Sequence, residues 1–259
     1  LISACASTPE SAVPTRDFVQ IPYADDARTY FDVTRPADTR KRPGVLIIHG
    51  GGWARGEPAD MAKFVERVVA AGWVAINLSY RLAPEHPWPA QRQDLHRAMG
   101  VIHQRAGEFG LDSQRIAILG YSAGAHLAAV AALQPNPRVP RPVALAAGAG
   151  AYDLTQYPQS RLVNGLMGGI PSVVGPAAYR DASPLYMVSG GALPSYLWHG
   201  SWDILVGIEQ SRDFAAALQA QGVEVEFDER FGLGHYSNFL ADGKSWERMQ
   251  QFLSRHLDD

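Results

Sequence analysis

Short apolar segments alternate with amphipathic segments along most of the chain. Residues 45–48 are apolar at every position, which is typical of a strand buried on both faces of a sheet. Residues 223–227 alternate apolar and acidic positions, which is typical of a strand near a sheet edge. Strands are predicted at 18–22, 30–35, 45–48, 73–78, 116–119, 142–147, 193–199 and 223–227.

Segments with helical spacing of apolar residues lie between most of these strands. Helices are predicted at 58–71, 90–105, 122–133, 207–221 and 244–257. Strands that alternate with helices predict a mostly parallel sheet with helices on both faces. Ligands bind such sheets beyond the carboxyl ends of the strands, so we expect the chemistry there.

The domain organisation follows from where this pattern starts and where it weakens. Residues 17–259 are predicted to form a single domain, and residues 1–16 a leader or tether. Residues 153–184 lack a strong period and contain several glycines and prolines, which predicts an irregular insertion with about one helix. We expect this insertion to form a small cap.

The composition and charge of the chain limit which classes of binding partner are expected. Of 259 residues, 46% are hydrophobic, as expected for a globular protein with a substantial core. The net charge is −3 and there is no basic run, so nucleic acid is not an expected partner. No apolar stretch approaches the length of a membrane span.

The only cysteine is Cys5, so an intrachain disulfide is excluded. Residues 1–6 resemble the end of a bacterial lipoprotein signal, in which the cysteine carries the lipid. That hypothesis predicts a lipid anchor at the cell envelope, with residues 7–14 as a spacer. The alternative is a frayed leader with a chance cysteine, and a cytoplasmic location.

The candidate nucleophile is Ser122. The run Gly-Tyr-Ser-Ala-Gly at 120–124 follows a predicted strand and opens a helix of small residues. This is the context of the G-x-S-x-G nucleophile elbow, in which the serine hydroxyl projects above the sheet. The alternative is a serine that only caps a helix. Serine is a weak nucleophile at neutral pH, so Ser122 needs a base.

The candidate base is His235, which lies on a glycine-flanked loop between the last predicted strand and the closing helix. A histidine there can reach Ser122, acting first as general base and then as general acid. His199, at the end of a strand, is the competing candidate.

The candidate acid is Asp203, which follows the strand at 193–199. It would hold the far nitrogen of the histidine and stabilise the imidazolium. Glu209 and Asp228 are rival carboxylates. The order Ser122, Asp203, His235 is the one that α/β-hydrolases use for nucleophile, acid and base.

An oxyanion hole is predicted after the third strand, where His-Gly-Gly-Gly occupies 49–52. Its N–H donors are expected from Gly51, Gly52 and Ala123, and the motif histidine is expected to shape the loop. The alternative is a flexible loop or a phosphate-binding loop, but a phosphate-binding loop would require Lys-Ser or Lys-Thr after the glycines. Trp53 follows instead, as a pocket wall or a core residue.

With these motifs, residues 20–257 resemble the α/β-hydrolase superfamily, specifically carboxylesterases with an HGGG oxyanion motif. Residues 80–90, Tyr-Arg-Leu-Ala-Pro-Glu-His-Pro-Trp-Pro-Ala, resemble the signature of hormone-sensitive-lipase-like esterases, which implies a loop that buttresses the active-site side of the sheet. Residues 120–128, 151–154 and 182–184 are more similar to the BD-FAE group and to kynurenine-formamidase-like hydrolases. The resemblance implies an eight-stranded, mostly parallel sheet.

Two departures separate the chain from the lipase-like branch. Tyr121 stands where that branch usually has Asp, and only about 45 residues precede the oxyanion strand, where that branch has a long cap. A lid must then come mostly from 153–184, which predicts an open pocket for small or extended esters. Expected walls are Trp53, Tyr152, Trp202 and Tyr236.

The sequence therefore predicts a serine carboxylesterase that hydrolyses short-chain or aryl esters through an acyl-enzyme. The expected partner is a small-molecule ester, and neither a metal nor a cofactor is needed. One alternative is an arylformamidase-type amide hydrolase that uses the same residues. Another is a non-catalytic ligand-binding protein on this fold, although such proteins have typically lost a triad member.

Overall fold

A computed structural model describes residues 14–241 and 244–258, so Cys5 lies outside the described residues. Its centre is one eight-stranded sheet in the order β1-β2-β4-β3-β5-β6-β7-β8. The strands are β1 Thr15–Pro22, β2 Tyr30–Pro36, β3 Arg42–Ile48, β4 Val74–Leu78, β5 Leu111–Tyr121, β6 Ala144–Gly148, β7 Ser195–Gly200 and β8 Val225–Arg230. Strand β1 thus begins inside the segment predicted as the leader.

The sheet is mostly parallel, as predicted. Only the pairs β1–β2 and β2–β4 are antiparallel. The strands from β4 through β3, β5, β6 and β7 to β8 are all parallel neighbours. The α/β fold class and the eight predicted strands are therefore confirmed, with shifts at the strand ends.

Helices cover both faces of the sheet. The α-helices are α1 Ala62–Ala70, α2 Ala90–Gln104, α3 Ala123–Leu133, α4 Arg161–Met167, α5 Pro171–Val174, α6 Pro176–Asp181, α7 Glu209–Ala220, α8 His235–Leu240 and α9 Lys244–Leu257. Short 3-10 helices occupy Pro58–Met61, Leu154–Gln156 and Pro184–Met187.

Two expectations about these helices need correction. The insertion at 153–184 contains three short helices, α4 to α6, where about one was expected. Helices α5 and α6 have four and six residues, too few to show a helical period. His235 lies at the first position of helix α8, and not on a loop. A six-residue helix that follows Gly-Leu-Gly leaves equally little periodic signal.

Two buried clusters explain why the central strands are apolar throughout. Successive side chains of a strand point to opposite faces. On one face, Ile48 of β3 belongs to the same buried cluster as Leu127 of α3 and Phe214 of α7. On the other face, Ile47 belongs to the same buried cluster as Phe64 of α1 and Phe252 of α9. Within the described ranges, no helix is long and apolar enough to cross a membrane.

The register of the parallel strands brings their carboxyl ends together. Ile48 at the end of β3 is paired with Gly120 of β5, and Tyr121 of β5 with Gly148 of β6. The loop at 49–52 and the turn at Ser122 therefore leave the sheet side by side. This edge is where the sequence places every candidate residue.

Candidate active site

Ser122 lies at a sharp, strained turn between β5 and α3. Its φ of 57° and ψ of −123° fall in a region that a non-glycine residue rarely adopts. The turn is held by its backbone N–H, which donates to the carbonyl of Gly148 at 2.8 Å. This is the geometry of a nucleophile elbow.

The two glycines of the motif are required by close packing. A Cβ at Gly120 would lie 2.2 Å from the carbonyl oxygen of Gly124, and one at Gly124 would lie 2.1 Å from that of Ile48. Strand β5, helix α3 and strand β3 therefore approach each other more closely than any side chain would allow. This approach brings Ser122 next to the glycine loop.

The structure brings the three predicted catalytic residues into one chain of hydrogen bonds. His235 Nε2 lies 2.9 Å from Ser122 Oγ. His235 Nδ1 lies 2.6 Å from Asp203 Oδ2. Both His235 and Asp203 are buried. Because a carboxylate only accepts hydrogen bonds, Nδ1 carries the proton and Nε2 is free to accept that of the serine.

Asp203 is held by four donors. Its Oδ1 accepts from the backbone N–H groups of Leu205 and Val206, both at 2.9 Å. Its Oδ2 accepts from His235 and, at 3.2 Å, from His199 Nε2. Burial alone would raise the pKa of Asp203, but the hydrogen bonds from His199, His235 and Val206 hold that pKa well below its ordinary value. The carboxylate is therefore charged at neutral pH.

The rival residues have other partners. Glu209 is exposed and pairs with Arg212 at 3.0 Å. Asp228 is buried under α9 and pairs with Arg248 at 2.6 Å. His199 Nε2 lies 3.2 Å from Asp203 Oδ2. None of the hydrogen bonds found among the described residues joins Glu209, Asp228 or His199 to the nucleophile.

The glycine loop adopts backbone conformations suited to glycine. Gly51 and Gly52 have φ values of +104° and +61°. A Cβ at Gly51 would lie 2.1 Å from the carbonyl oxygen of Arg55, and one at Gly52 would lie 2.8 Å from Leu162 Cδ1. Within 14–241 and 244–258, the N–H groups of Gly51, Gly52 and Ala123 have no protein acceptor. They remain available to an oxyanion in the cavity.

Tyr80, from the segment at 80–90, and Arg28 hold this loop in place. Tyr80 stacks on His49, with ring centroids 4.3 Å apart, and its hydroxyl donates to the His49 carbonyl at 2.9 Å. Arg28 donates to the carbonyl of Tyr80 at 3.3 Å and to that of Gly56 at 2.5 Å. His49 Nδ1 bonds the Gly50 carbonyl at 2.8 Å, as expected for a residue that shapes the loop.

His126 connects the elbow helix to the glycine loop and the insertion. Its Nδ1 accepts from Trp53 Nε1 at 3.2 Å, and its Nε2 donates to the Ala182 carbonyl at 2.8 Å. Burial lowers the pKa of His126 to about 4. The neutral ring satisfies both contacts, whereas a charged ring would lose the one with Trp53.

The protein is therefore expected to lose stability in mild acid. The unfolded chain takes up a proton at His126 below about pH 6.5, whereas the folded protein does so only below about pH 4. The free energy of unfolding should fall across this window, and His49, with a pKa lowered by burial to about 4, acts in the same direction. Denaturant unfolding from pH 4 to 7 measures the slope. His126→Gln should reduce it by about 1.4 kcal/mol per pH unit, and equal slopes would contradict the assignment.

A cavity of about 500 Å³ opens above Ser122. The insertion forms part of its wall, through residues that include Leu162 and Val163. Trp53 and Tyr236, two of the expected walls, line it. The full lining is Gly50, Gly51, Gly52, Trp53, Arg55, Gly56, Asp60, Met61, Tyr121, Ser122, Ala123, Ala151, Tyr157, Ser160, Leu162, Val163, Leu205, Val206, His235, Tyr236 and Phe239.

The structure places the other two expected walls away from this cavity. Tyr152 is fully buried and stacks on Phe214, with ring centroids 4.2 Å apart, so it belongs to the core. Trp202 is 64% exposed and lies beside Phe231 on the surface, 6.0 Å between ring centroids. The sequence did not distinguish these environments, because each aromatic residue follows a strand in the same way.

Tyr121 is a site residue whose role the sequence did not indicate. Its hydroxyl donates to the backbone carbonyl of His235 at 2.6 Å and accepts from Asn238 Nδ2 at 2.9 Å. Burial raises the pKa of Tyr121, so the hydroxyl keeps its proton. The residue therefore links the elbow to the first turn of α8. The signal for this role in the sequence was that Tyr121 stands where the lipase-like branch usually has Asp.

The described residues contain no group of three His, Cys, Asp or Glu side chains arranged to hold a metal ion. The chemistry that these residues support by themselves is nucleophilic attack on a carbonyl carbon. Ser122 would supply the nucleophile, His235 would move the proton, and the glycine loop would stabilise an oxyanion.

Comparison with known proteins gives a consistent result. The BD-FAE family model matches residues 31–218. Esterase LipC of Mycobacterium tuberculosis is 32% identical over 243 residues, covering 86% of this chain and 60% of LipC. Esterase LipQ of the same organism is 32% identical over 221 residues, covering 78% of this chain and 52% of LipQ. The chain thus spans between half and two thirds of these relatives.

Solved structures share the fold over nearly the whole chain. A bacterial heroin esterase superposes with a TM-score of 0.76 at 27% identity, covering 95% of this chain and 85% of that one. A truncated carbohydrate esterase from gut microbiota gives a TM-score of 0.86 at 21% identity, covering 98% of this chain and 100% of that one. The second likeness concerns the fold alone.

Proposed function

Since the chain belongs to the BD-FAE family of the α/β-hydrolase superfamily, we propose that it hydrolyses carboxylic esters through an acyl-enzyme on Ser122. The observation that carries the proposal is the unbroken chain from Ser122 Oγ through the His235 ring to Asp203 Oδ2, with distances of 2.9 and 2.6 Å. The names of the relatives, which are esterases, support the same class of reaction.

In the acylation step, Ser122 Oγ attacks the ester carbonyl carbon while its proton passes to His235 Nε2. The carbonyl electron pair moves to the oxygen, and this oxyanion accepts hydrogen bonds from the N–H groups of Gly51, Gly52 and Ala123. When the intermediate collapses, the bond to the alcohol breaks. His235 then protonates the departing alkoxide.

Deacylation repeats these transfers with water. A water molecule gives a proton to His235 Nε2 as its oxygen attacks the acyl carbon. The bond from that carbon to Ser122 Oγ then breaks, and the serine oxygen takes the proton back from the histidine. The carboxylic acid leaves and the starting enzyme is restored, with Asp203 charged throughout.

The proposed substrates are short-chain or aryl esters. The lining of the cavity of about 500 Å³ includes the aliphatic side chains of Leu162, Val163, Leu205 and Val206. Aromatic side chains of Tyr236 and Phe239 form another part of the lining. Such a lining suits a small acyl group or a flat ring, because both displace water from apolar surface.

Two measurements test the proposal. Purified protein is treated with a fluorophosphonate probe, and the labelled peptide should contain Ser122. A separate, untreated sample is assayed on p-nitrophenyl esters of two to eight acyl carbons and on N-formylkynurenine. Faster hydrolysis of the esters supports a carboxylesterase, whereas a preference for the formamide identifies an arylformamidase-type enzyme. A folded protein that neither reacts with the probe nor turns over any substrate would be a binding protein.

Gly51→Ala should lower kcat/KM for p-nitrophenyl acetate by about 10²- to 10³-fold, the usual cost of losing one oxyanion donor. The new Cβ would lie 2.1 Å from the backbone carbonyl oxygen of Arg55 at a φ of +104°, so the loop must shift. Gly191→Ala is the matched control, since its φ is +109° but the nearest atom to the added Cβ, on the Arg141 side chain, is 4.0 Å away. Equal activity of both variants would remove Gly51 from the oxyanion hole.

A further inference from the structure

Two histidines share one oxygen of Asp203. His235 Nδ1 lies 2.6 Å from Oδ2, and His199 Nε2 lies 3.2 Å from the same atom. The side chain of His199 is fully buried at the end of β7. The acyl-transfer steps described above make no use of His199, so its position on the catalytic carboxylate needs another explanation.

The partners of His199 fix which of its nitrogens carries the proton. Its Nε2 also lies 2.9 Å from the backbone carbonyl of Val206, and a carbonyl can only accept. Nε2 is therefore protonated and shares its hydrogen between Val206 and Asp203. Nδ1 lies 2.8 Å from Ser211 Oγ, whose hydroxyl can donate to it. The ring is thus oriented from both sides.

With this donor, the carboxylate of Asp203 is saturated. The backbone N–H groups of Leu205 and Val206 donate to Oδ1, and the two histidines donate to Oδ2. Each donor stabilises the negative charge, and together they lower the pKa of Asp203 against the effect of burial. Every hydrogen bond added by another group weakens the attraction of Oδ2 for the ring of His235.

We propose that His199 is a positioning residue that acts through Asp203, fixing its carboxylate and limiting the charge that Oδ2 presents to His235. The inference rests on the proposed function, because it assigns His235 as the base. Loss of the His199 donor would leave His235 as the sole donor to Oδ2. The imidazolium form of His235 would then be stabilised more strongly, and a larger fraction of the base would be protonated at a given pH.

Other titratable groups lie around Asp203 and His235, and the test keeps them unchanged. Tyr121 of β5 and Tyr157 of the insertion interact electrostatically with Asp203. Arg230 of β8 acts on Tyr121, and Asp153 and Glu209 act on Tyr157. Since none of them is substituted, a change in the pH profile reports the His199 contact.

The test is the pH profile of kcat/KM for p-nitrophenyl acetate, measured from pH 4 to 9 on His199→Phe. We expect its acid limb to move upward by about half a pH unit to one unit. The amide nitrogen of His199→Gln can occupy the Nε2 position. In this variant the acid limb should therefore differ from that of the parent protein by no more than about a quarter of the shift seen in His199→Phe. Ser211→Ala is the matched control, because it leaves the Nε2 donor in place and should leave the limb unshifted.

The profile is normalised to each variant's own maximum, so a smaller folded fraction does not imitate the shift. If His199→Phe does not fold, His199→Asn carries the same expectation, because its amide is too short to replace the Nε2 donor. An unshifted limb in the folded variant, or an equal shift in His199→Gln, overturns the proposal. Full activity of Ser122→Ala would instead overturn the proposed function, which separates the two failures.

Discussion

Ser122→Ala should hydrolyse p-nitrophenyl acetate about 10⁶-fold more slowly than the parent protein, with the fold intact. Removing Oγ eliminates the atom that forms the acyl bond, and His235 then has no hydroxyl within 2.9 Å to activate. The strained φ of 57° is the same for Ala as for Ser, so the melting temperature should change little. The measurement combines steady-state kinetics, fluorophosphonate labelling and thermal unfolding.

Ser113→Ala serves as the control for this variant, since Ser113 lies in the amino-terminal half of the same strand β5. It should keep full activity and full labelling. If Ser122→Ala retained more than about a thousandth of the parent rate, a nucleophile other than Ser122 would have to be sought.

Asp203→Asn should lower kcat/KM by about 10⁴-fold at neutral pH. The two backbone donors from Leu205 and Val206 would keep the amide oxygen at the Oδ1 position. The amide N–H₂ would then face His235 Nδ1 and His199 Nε2, both of which carry protons at present. To avoid this clash of donors, His235 must place its proton on Nε2, where it can no longer accept that of Ser122.

Asp228→Asn is the matched control for a buried carboxylate. It breaks the pair with Arg248 and should therefore lower the melting temperature, but it lies outside the cavity and should change kcat/KM by less than about threefold. If Asp228→Asn impaired catalysis as strongly as Asp203→Asn, the acid would not be assigned to Asp203. The two variants thus separate a catalytic carboxylate from a structural one.

The predictable parts of this protein are those that follow from local patterns. The uninterrupted apolar run ending at Ile48 predicts a central strand, because only a strand covered on both faces needs no polar side chain. The motif at 120–124 predicts an elbow, because Gly120 and Gly124 are dictated by contacts that any side chain would prevent. Both patterns are recognised from residues adjacent along the chain, although the contact that excludes a side chain at Gly124 is with Ile48 of β3.

The helices of the insertion and the position of His235 were less predictable. A helix of four to seven residues shows fewer than two full turns, so its apolar spacing is indistinguishable from that of a loop. Helix α8 is equally short, and its first turn is fixed by a bond from Tyr121, which is 114 positions away in sequence. No local pattern contains such a contact.

By itself, the sequence determined the eight-stranded α/β architecture and proposed Ser122, Asp203 and His235 as candidates on one sheet edge. Only the tertiary structure decided which side chains meet there. It placed Tyr152 in the core and put His199 on the same oxygen as His235. The physical reason is the separation along the chain over which each effect acts. Hydrophobic periodicity and turn chemistry act between neighbours in sequence, whereas the shape and charge of a site depend on contacts that only the packed fold creates.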